Sequence, residues 1–396
     1  MCKSKLHIVI FDGTFQTTAF IRRLVLGLQK EHQVYVLGFN EKLKDPIPHV
    51  KYISLGDNSS KLKLILTSIQ LALKTLNISI ILNTLTRILS GRRRKLQEQN
   101  LQLQLKKINP DVIHAQWNSV LPWLEPYLMH KTYPIILSQR GFHTNVRPFI
   151  NLDNKNYLQQ WYPKLSGIHS VSKAISKKGK KIEVPRSHIN QVVYTGLDFS
   201  KFPWVQSSKK VGKLRIISVG RPHWIKGYPY ALEAMKILAE EQLDFEYIIV
   251  GALGDEELTY LIQEFNLQNK VKLTPKLEQE EVFNRIKNSS LFLLSSLEEG
   301  IANVAVEAMA LGIPVISTNC GGMKELITDG QEGFICPTRD KVALASAIKN
   351  FIYLDAAIVE EIELAARAKV ENQFNEQHMI LKMLNLYKEV VQFNYR

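Results

Sequence analysis

The sequence predicts an α/β protein made of two domains, each built on a doubly wound parallel sheet. Three observations support this prediction. The chain has 396 residues, which is more than one hydrophobic core usually supports. Short continuous apolar runs alternate with helix-length segments, which is typical of parallel sheets covered on both faces. The alternation restarts after the polar stretch 203–213, which we interpret as a linker.

The predicted strands are apolar runs bounded by turns or by segments with helical spacing. The first domain is expected at 1–200, with strands at 6–11, 33–39, 111–115, 134–139, 167–172 and 191–196. The second is expected at 201–375, with strands at 214–220, 245–251, 270–275, 290–296, 313–318 and 332–337. A helical segment from 357 to 391, interrupted near Asn372, ends the pattern.

Composition limits the class of protein. Hydrophobic residues make up 45% and charged residues 22%, as in ordinary globular proteins. Three unspaced cysteines favour a reducing compartment, and the first apolar run is too short for a signal peptide. We therefore expect a cytoplasmic protein. No metal-spaced cluster of His, Cys or carboxylate residues is visible, so no metal is expected.

The net charge of +14 indicates a polyanionic partner. Basic residues concentrate at 92–95 and 173–181, but no zinc-finger or ribonucleoprotein motif accompanies them, so a nucleic-acid module is not expected. Residues 61–95 are rich in Leu and Ile, poor in acidic residues, and end in the first basic cluster. Such a helical pair either docks on an anionic membrane surface or covers the core of the first domain.

Two cations follow the first strand of the second domain. Arg221 leaves the carboxyl end of this strand, and Lys226 comes five residues later. Ligands of open α/β sheets bind outside the carboxyl ends of the strands. An Arg and a Lys on one such loop can hold a diphosphate through charge-assisted hydrogen bonds.

Two carboxylates follow a later strand of the same domain. Glu299 stands just past the strand 290–296, and Glu307 lies one turn inside the next helix. Neither has an obvious lysine partner nearby in the sequence, so burial would be costly unless a ligand's hydroxyls compensate them. The free N–H groups near Asn303 and Val304, where the helix begins, can hold phosphate. This layout suits a nucleotide-sugar.

These residues resemble glycosyltransferase family 4, also called group 1 glycosyl transferases, which are retaining enzymes of GT-B architecture. The segment 298–327 is similar to the donor-binding signature, 218–228 to a second element, and 192–198 to the segment between the domains, with Thr195 in place of the usual Asn. The matching signature positions are Glu299, Glu307, Ala308, Met309, Ala310, Gly312, Pro314, Val315, Gly321, Gly322, Gly220, Arg221, Lys226 and Gly227.

The resemblance implies two Rossmann-like domains that face each other across a cleft, with a last helix at 376–396 that crosses back to the first domain. It implies that Arg221 and Lys226 neutralise the donor diphosphate. Glu299 would contact the donor sugar and Glu307 the ribose, while the N–H groups of Asn303 and Val304 hold phosphate. No metal or other cofactor is required, because the nucleotide-sugar is a co-substrate.

The first domain departs further from the family pattern. Gly13 and Thr14 are candidates for the loop that approaches donor and acceptor. Gln116 stands where the family often has a second His after His114. Arg140 takes the place of another frequent His and is assigned as catalytic beside Glu299, although it cannot act as a general base. His143 follows three residues later. His114, Gln116 and His143 are the candidate acceptor-side residues. For His114 a structural role is the stronger interpretation.

The sequence thus predicts a retaining, metal-independent hexosyltransferase that works in the cytoplasm or on the inner membrane face. Its expected partners are a nucleotide-sugar donor and a saccharide or lipid-linked saccharide acceptor of exopolysaccharide or lipopolysaccharide biosynthesis. A peripheral contact with an anionic membrane is a further expectation, and nucleic acid is not expected. The alternatives are a GT-B-type sugar-nucleotide epimerase or phosphorylase, and a nucleotide-binding membrane adaptor without turnover.

Overall fold

Two parallel sheets form the centre of the protein, which confirms the predicted fold class. The computed structural model describes residues 5–15, 18–39, 43, 45–182, 189–204 and 212–394. Most of the linker predicted at 203–213 lies outside these residues. The strands of the first sheet are β1 (His7–Gly13), β2 (Gln33–Gly38), β3 (Lys51–Ser54), β4 (Val112–Ala115), β5 (Ile135–Gln139), β6 (Gly167–Ser170) and β7 (Ile189–Val192).

The first sheet has the strand order β3-β2-β1-β4-β5-β6-β7, and every pair is parallel. β1 to β6 agree with the sequence prediction except for β3, which the sequence analysis missed. β3 has only four residues, and it lies at the sheet edge with none of its side chains fully buried. A short strand of this kind lacks the continuous apolar run that identifies buried strands. β7 ends at Val192, so the strand predicted at 191–196 overlaps it only at residues 191 and 192.

The second sheet contains six parallel strands in the order β10-β9-β8-β11-β12-β13. All six were predicted, with ends that differ by one or two residues. They are β8 (Leu214–Val219), β9 (Phe245–Val250), β10 (Val271–Thr274), β11 (Leu291–Leu294), β12 (Val315–Thr318) and β13 (Phe334–Cys336). Most of these differences arise because Gly, Ser and Pro residues at the ends of the predicted runs are not part of the observed strands.

Helices cover both sheets. Those of the first half are α1 (Ala19–Leu28), α2 (Lys61–Leu73), α3 (Ile78–Leu89), α4 (Arg93–Ile108), α5 (Leu121–Met129), α6 (Gly141–Asn145), α7 (Arg147–Ile150), α8 (Leu152–Trp161) and α9 (Lys173–Lys180). The others are α10 (Tyr228–Glu240), α11 (Glu256–Glu264), α12 (Gln279–Lys287), α13 (Asn303–Ala310), α14 (Met323–Leu326), α15 (Lys341–Tyr353), α16 (Ala356–Gln373) and α17 (Glu376–Asn394). Among the described residues no single helix has the length and apolarity to cross a membrane; α15 and α16 meet that criterion only as a pair bent by 114°.

The last helix belongs to the core of the first sheet. α17 packs against α1, β4 and β7, and its buried residues Met383, Leu386 and Val390 join the apolar cluster around β1. The break before α17 is at Phe374, whose ring is fully buried and stacks on Tyr194 at 5.0 Å. The chain therefore leaves the second sheet and returns to the first.

A buried polar chain ties α17 to the three strands β4, β5 and β6 and to Val193, which follows β7. Tyr387 contacts His114 Nδ1 at 2.7 Å, His114 Nε2 contacts Ser138 at 2.8 Å, and Ser138 contacts His169 Nδ1 at 2.8 Å. His169 Nε2 lies 3.0 Å from the Val193 carbonyl, which can only accept a hydrogen bond. Burial lowers the pKa of both histidines, so both are neutral. The direction of every hydrogen bond then follows from the carbonyl: Tyr387 donates to His114, His114 to Ser138, Ser138 to His169, and His169 to the carbonyl.

The neutral histidines make stability dependent on pH. Burial, and next the Arg140 charge, lower the pKa of His169 to about 3, whereas an unfolded histidine titrates near 6.5. The unfolded chain therefore binds more protons between these values, and the free energy of unfolding falls as pH drops below about 6.5. We expect His169→Gln to reduce this slope by about 1 kcal/mol per pH unit on average between pH 7 and 5, approaching the limit of about 1.4 at the acid end, measured by urea unfolding.

The exposed His130→Gln variant, measured in parallel, is the control for removing an imidazole that is not buried. An unchanged slope in His169→Gln would contradict the neutral chain of hydrogen bonds.

Candidate functional site

The site lies where the carboxyl ends of the two sets of strands approach each other. On the side of the second sheet, Lys226 Nζ lies 2.6 Å from Glu299 Oε1. Lys226 belongs to the loop after β8 and Glu299 to the loop after β11, and these strands are neighbours in the sheet. The Ser296 hydroxyl donates to the same carboxylate oxygen at 3.0 Å. Two of the residues predicted for the donor site are thus in direct contact.

The double glycine after β12 allows this loop to fold. Gly321 has φ +51°, a conformation that favours glycine, and a Cβ there would overlap the Glu299 carbonyl oxygen. A Cβ at Gly322 would overlap the Gly300 carbonyl, which accepts the Gly322 N–H at 2.9 Å. The two glycines therefore support the Glu299 loop through close backbone contact.

Helix α13 begins beside Glu299 with free N–H groups. Ala302 precedes the helix and offers no side-chain cap, and the first intrahelical bonds are donated by Ala305 and Val306. Within the described part of the chain, the N–H groups of Asn303 and Val304 have no acceptor, as expected for the start of a helix. Arg221 is exposed at the end of β8, with no ion-pair partner among the described residues.

Glu307 is buried and paired with an arginine of the other domain. Its Oε1 lies 3.1 Å from Arg23 NH2, and the side chains are 8% and 13% exposed, respectively. Burial raises the pKa of Glu307, and the Arg23 charge opposes this shift. The expectation that only ligand hydroxyls compensate the two carboxylates is therefore wrong: Lys226 and Arg23 partner them, from 73 and 284 residues away.

On the side of the first sheet, Arg140 and Gln116 interact directly. Arg140 NH2 donates to Gln116 Oε1 at 2.7 Å, and the guanidinium lies over the rings of Phe20, at 4.2 Å, and Trp117, at 5.3 Å. Burial lowers the pKa of Arg140 to about 10, so the side chain stays charged at neutral pH. The two residues that depart from the family's histidines thus form one pair.

Asp12 completes this side of the site. Its carboxylate accepts hydrogen bonds from Trp117 Nε1 at 2.5 Å and from the Thr14 hydroxyl at 3.4 Å. Burial raises the pKa of Asp12, while Trp117 and the charge of Arg140 act against that shift. Gly13 ends β1 with φ +83°. Gly13 and Thr14 are therefore at the same sheet edge as Gln116 and Arg140.

The two candidate histidines lie in different surroundings. His114 is fully buried, and both its ring nitrogens are occupied by Tyr387 and Ser138, which fits a structural role. His143 is half-buried in α6, and its carbonyl accepts from Asn118 at 3.0 Å. Its neighbour Phe142 packs edge-on against His223 of the second domain, with ring centroids 6.3 Å apart.

Further carboxylates of the second domain hold the first domain in place. Glu298 accepts from Asn145 at 3.3 Å and lies 3.7 Å from Lys178. Glu325 accepts from the backbone N–H groups of Lys173 and Ala174, at 2.8 and 2.7 Å, and from the Tyr194 hydroxyl at 2.9 Å. Glu325 therefore caps the N-terminus of α9 across the domain boundary.

The sequence analysis missed several residues of this site. Asp12 had a signal, because it ends the first strand beside Gly13. Arg23 had no such signal, because the sequence does not distinguish an arginine that pairs with the other domain from a surface arginine on an amphipathic helix. Asn145, Glu298 and Glu325 act through contacts between domains, which no local pattern indicates.

This architecture, with two Rossmann-like domains and a cleft between their strand ends, is the GT-B glycosyltransferase fold. Over 98% of this chain it superposes on sucrose-phosphate synthase from Thermosynechococcus elongatus, with a TM-score of 0.77, 17% identity and 100% of that chain covered. The HepE protein of Anabaena, solved with UDP-glucose, has a TM-score of 0.73 at 17% identity, with 97% and 100% of the two chains covered.

Residues 201–369 match the model of the glycosyl transferases group 1 family. The chain is 36% identical to the amylovoran biosynthesis glycosyltransferase AmsK of Erwinia amylovora over 56% of this chain and 57% of AmsK. It is 31% identical to the putative colanic acid biosynthesis glycosyltransferase WcaL of Escherichia coli over 60% of each. The chain thus spans about three fifths of the length of these curated relatives.

The Arg23–Glu307 pair should contribute to the stability of the contact between the two domains. Because both side chains are largely buried, leaving either one unpaired is costly. In a double-mutant cycle of Arg23→Met and Glu307→Gln we expect a coupling energy of about 1–3 kcal/mol in the free energy of unfolding.

The exposed Lys213–Asp244 pair, with atoms 3.4 Å apart, is the matched control and should couple by less than about 1 kcal/mol. Equal coupling in the two cycles would contradict the assignment of Arg23 as the partner of Glu307.

Proposed function

We propose that the protein is a retaining glycosyltransferase that moves a sugar from a nucleotide-diphosphate-sugar to an acceptor hydroxyl in cell-surface polysaccharide biosynthesis. The observation that carries the proposal is the meeting of Lys226 and Glu299 beside the open start of α13, within the segment that matches group 1 glycosyl transferases. The relatives named for amylovoran and colanic acid biosynthesis support the type of pathway.

The donor diphosphate is assigned to Arg221, Lys226 and the N–H groups of Asn303 and Val304. A leaving diphosphate gains negative charge as the glycosidic bond breaks, and preorganised cations and N–H donors stabilise that charge. These groups make a metal unnecessary for charge neutralisation. Glu299 is assigned to the sugar hydroxyls, and its contact with Lys226 keeps the carboxylate beside the phosphate site.

The ribose is assigned to Glu307, and binding then requires an exchange of partners. Arg23 occupies one carboxylate oxygen of Glu307, so the ribose hydroxyls either share this carboxylate or replace the guanidinium. The complex of HepE with UDP-glucose supports a nucleotide-sugar as the class of donor.

The transfer step follows from the charges of the site. The acceptor oxygen bonds to the anomeric carbon on the face from which the phosphate leaves, and the bond from carbon to phosphate oxygen breaks. The acceptor proton passes to the leaving phosphate, since Arg140 remains protonated. Arg140 and Gln116 position the acceptor side of the cleft, and Asp12 keeps the Arg140 charge balanced. The acceptor is proposed to be a lipid-linked saccharide, reached from the inner face of the membrane.

Donor binding is the first test. UDP-, GDP-, ADP- and dTDP-linked sugars should differ in how far they raise the melting temperature of the protein, and one base should give the largest shift. Arg221→Ala should remove most of that shift, because a charge-assisted contact to phosphate contributes about 1.5–3 kcal/mol. Arg215→Ala on β8, outside the loop, is the control. No shift with any donor would contradict the assignment of this site to a nucleotide-sugar.

Turnover is tested separately. Glu299→Gln should lower the rate of sugar transfer or donor hydrolysis on the order of 100-fold while the melting temperature without donor stays close to that of the wild type. The exposed Glu264→Gln on α11 serves as control. Transfer at the wild-type rate in Glu299→Gln would refute the assignment of Glu299 to the donor site.

A further inference from the structure

The hairpin of α2 and α3 has a mixed inner face, where Leu64, Ser68, Ala72 and Thr84 are buried, and a largely apolar outer face. Ser68 and Thr84 are buried beneath it, where Ser68 accepts from Asn100 at 2.9 Å and Thr84 from Gln99 at 2.6 Å. The outer face carries eight exposed large apolar residues: Leu62, Leu66, Leu73, Leu76, Ile78, Leu82, Leu85 and Leu89. A helix pair that covers a core has the opposite arrangement.

The apolar residues form continuous stripes. On α3 the positions 78, 82, 85 and 89 recur at helical spacing, so they lie on one side of the helix, and Ile78 and Leu89 are 74% and 88% exposed. Scattered exposed leucines need no explanation, but a contiguous apolar patch of this length indicates an interaction surface.

The same segment is exclusively basic. Between positions 58 and 97 the sequence has eight Lys or Arg residues and no Asp or Glu. A second copy of this chain would place like charges against each other, so this face does not favour self-association. An anionic surface with an apolar interior is the complementary partner, and a membrane of anionic phospholipids has both properties.

A groove of about 830 Å³ opens beside the α2–α3 turn, between these helices and α4. Its walls contain four cations and several side-chain amides but no carboxylate, and the cations are Lys74, Arg87, Lys106 and Lys107. Arg87 is fixed by bonds to Gln99 Oε1 at 2.6 Å and to the Lys95 carbonyl at 3.2 Å. In the described part of the chain, the three lysines have no carboxylate partner.

Groove residues and exposed apolar residues alternate through the turn. Lys74, Thr75 and Asn77 line the groove, whereas Leu73, Leu76 and Ile78 are exposed. A membrane that receives the apolar side chains therefore brings its headgroups to the opening of the groove. The cations and amide groups there can bind phosphate oxygens through charge-assisted hydrogen bonds.

We propose that this groove binds the phosphate of an anionic phospholipid headgroup while the outer leucines of α2 and α3 enter the membrane interface. The proposal rests on the proposed function only for the membrane location. It is tested by vesicle binding without donor or turnover, so its failure leaves the transfer proposal intact, and the reverse also holds.

The experiment compares vesicles of equal surface charge. The full-length protein should bind phosphatidylcholine vesicles containing phosphatidylglycerol more tightly than vesicles in which oleate supplies the same charge. The triple variant Lys74→Gln/Lys106→Gln/Lys107→Gln should lose that preference. Three removed charges predict a loss on the order of 100-fold in binding to the phosphatidylglycerol vesicles, at roughly fivefold for each cation near such a surface. The matched control is Lys177→Gln/Lys180→Gln/Lys181→Gln on and beside α9, which should keep the preference.

A second variant tests the apolar face. Ile78→Gln/Leu82→Gln/Leu89→Gln should weaken binding to both kinds of vesicle and leave the melting temperature close to that of the wild type, because these residues are 74%, 58% and 88% exposed, respectively.

Three outcomes would overturn the proposal. The first is equal binding of the wild type to the two kinds of vesicle. The second is an equal loss of binding in the α9 control variant. The third is full competition by inorganic phosphate at matched ionic strength, which would assign the groove to a soluble phosphate. A fall in the melting temperature of the apolar variant would instead make the outer face part of the protein's own packing and would also refute the membrane assignment.

Discussion

Burying a carboxylate costs free energy unless donors or cations compensate it, and the cleft of this protein is organised around that constraint. Four glutamates of the second domain lie at the boundary, and each receives its compensation from a distant segment. Lys226 pairs with Glu299 within the second domain. Glu298, Glu307 and Glu325 receive theirs from the first domain, through Asn145 and Lys178, through Arg23, and through the start of α9. The three contacts that cross the boundary, those of Glu298, Glu307 and Glu325, thus help to hold the two sheets in their relative position.

The same contacts determine what a ligand has to replace. In the proposed donor site, Lys226 and Arg221 supply positive charge for a diphosphate, and Glu299 supplies a carboxylate for hydroxyl groups. The proposed ribose position differs, because Arg23 already contacts Glu307. Under this proposal, a nucleotide that enters the cleft would act on the contact between the domains and so couple donor binding to domain movement.

The first domain uses polar groups in two contrasting ways. Around His114, polar side chains are fully enclosed and satisfied in one direction from Tyr387 to the Val193 carbonyl, which ties the last helix to the sheet. In the α2–α3 hairpin, Ser68 and Thr84 on the inner face accept hydrogen bonds from α4, and the apolar face is exposed. The first arrangement serves the stability of the domain, whereas the second leaves a surface whose apolar character calls for a partner.

The sequence by itself determined the two parallel sheets, because buried strands are continuous apolar runs. It also indicated the donor motif that we propose, because the segments that contain Glu299, Glu307, Arg221 and Lys226 resemble glycosyltransferase family 4. It could not indicate β3, a short and partly exposed edge strand, nor the partners Arg23, Asn145 and Glu325, which meet their carboxylates only when the domains come together. It also left residues 61–95 open between membrane and core. Only the tertiary structure decided that seven of their nine leucines face outward, since helical spacing specifies that one face is apolar but not which way that face points.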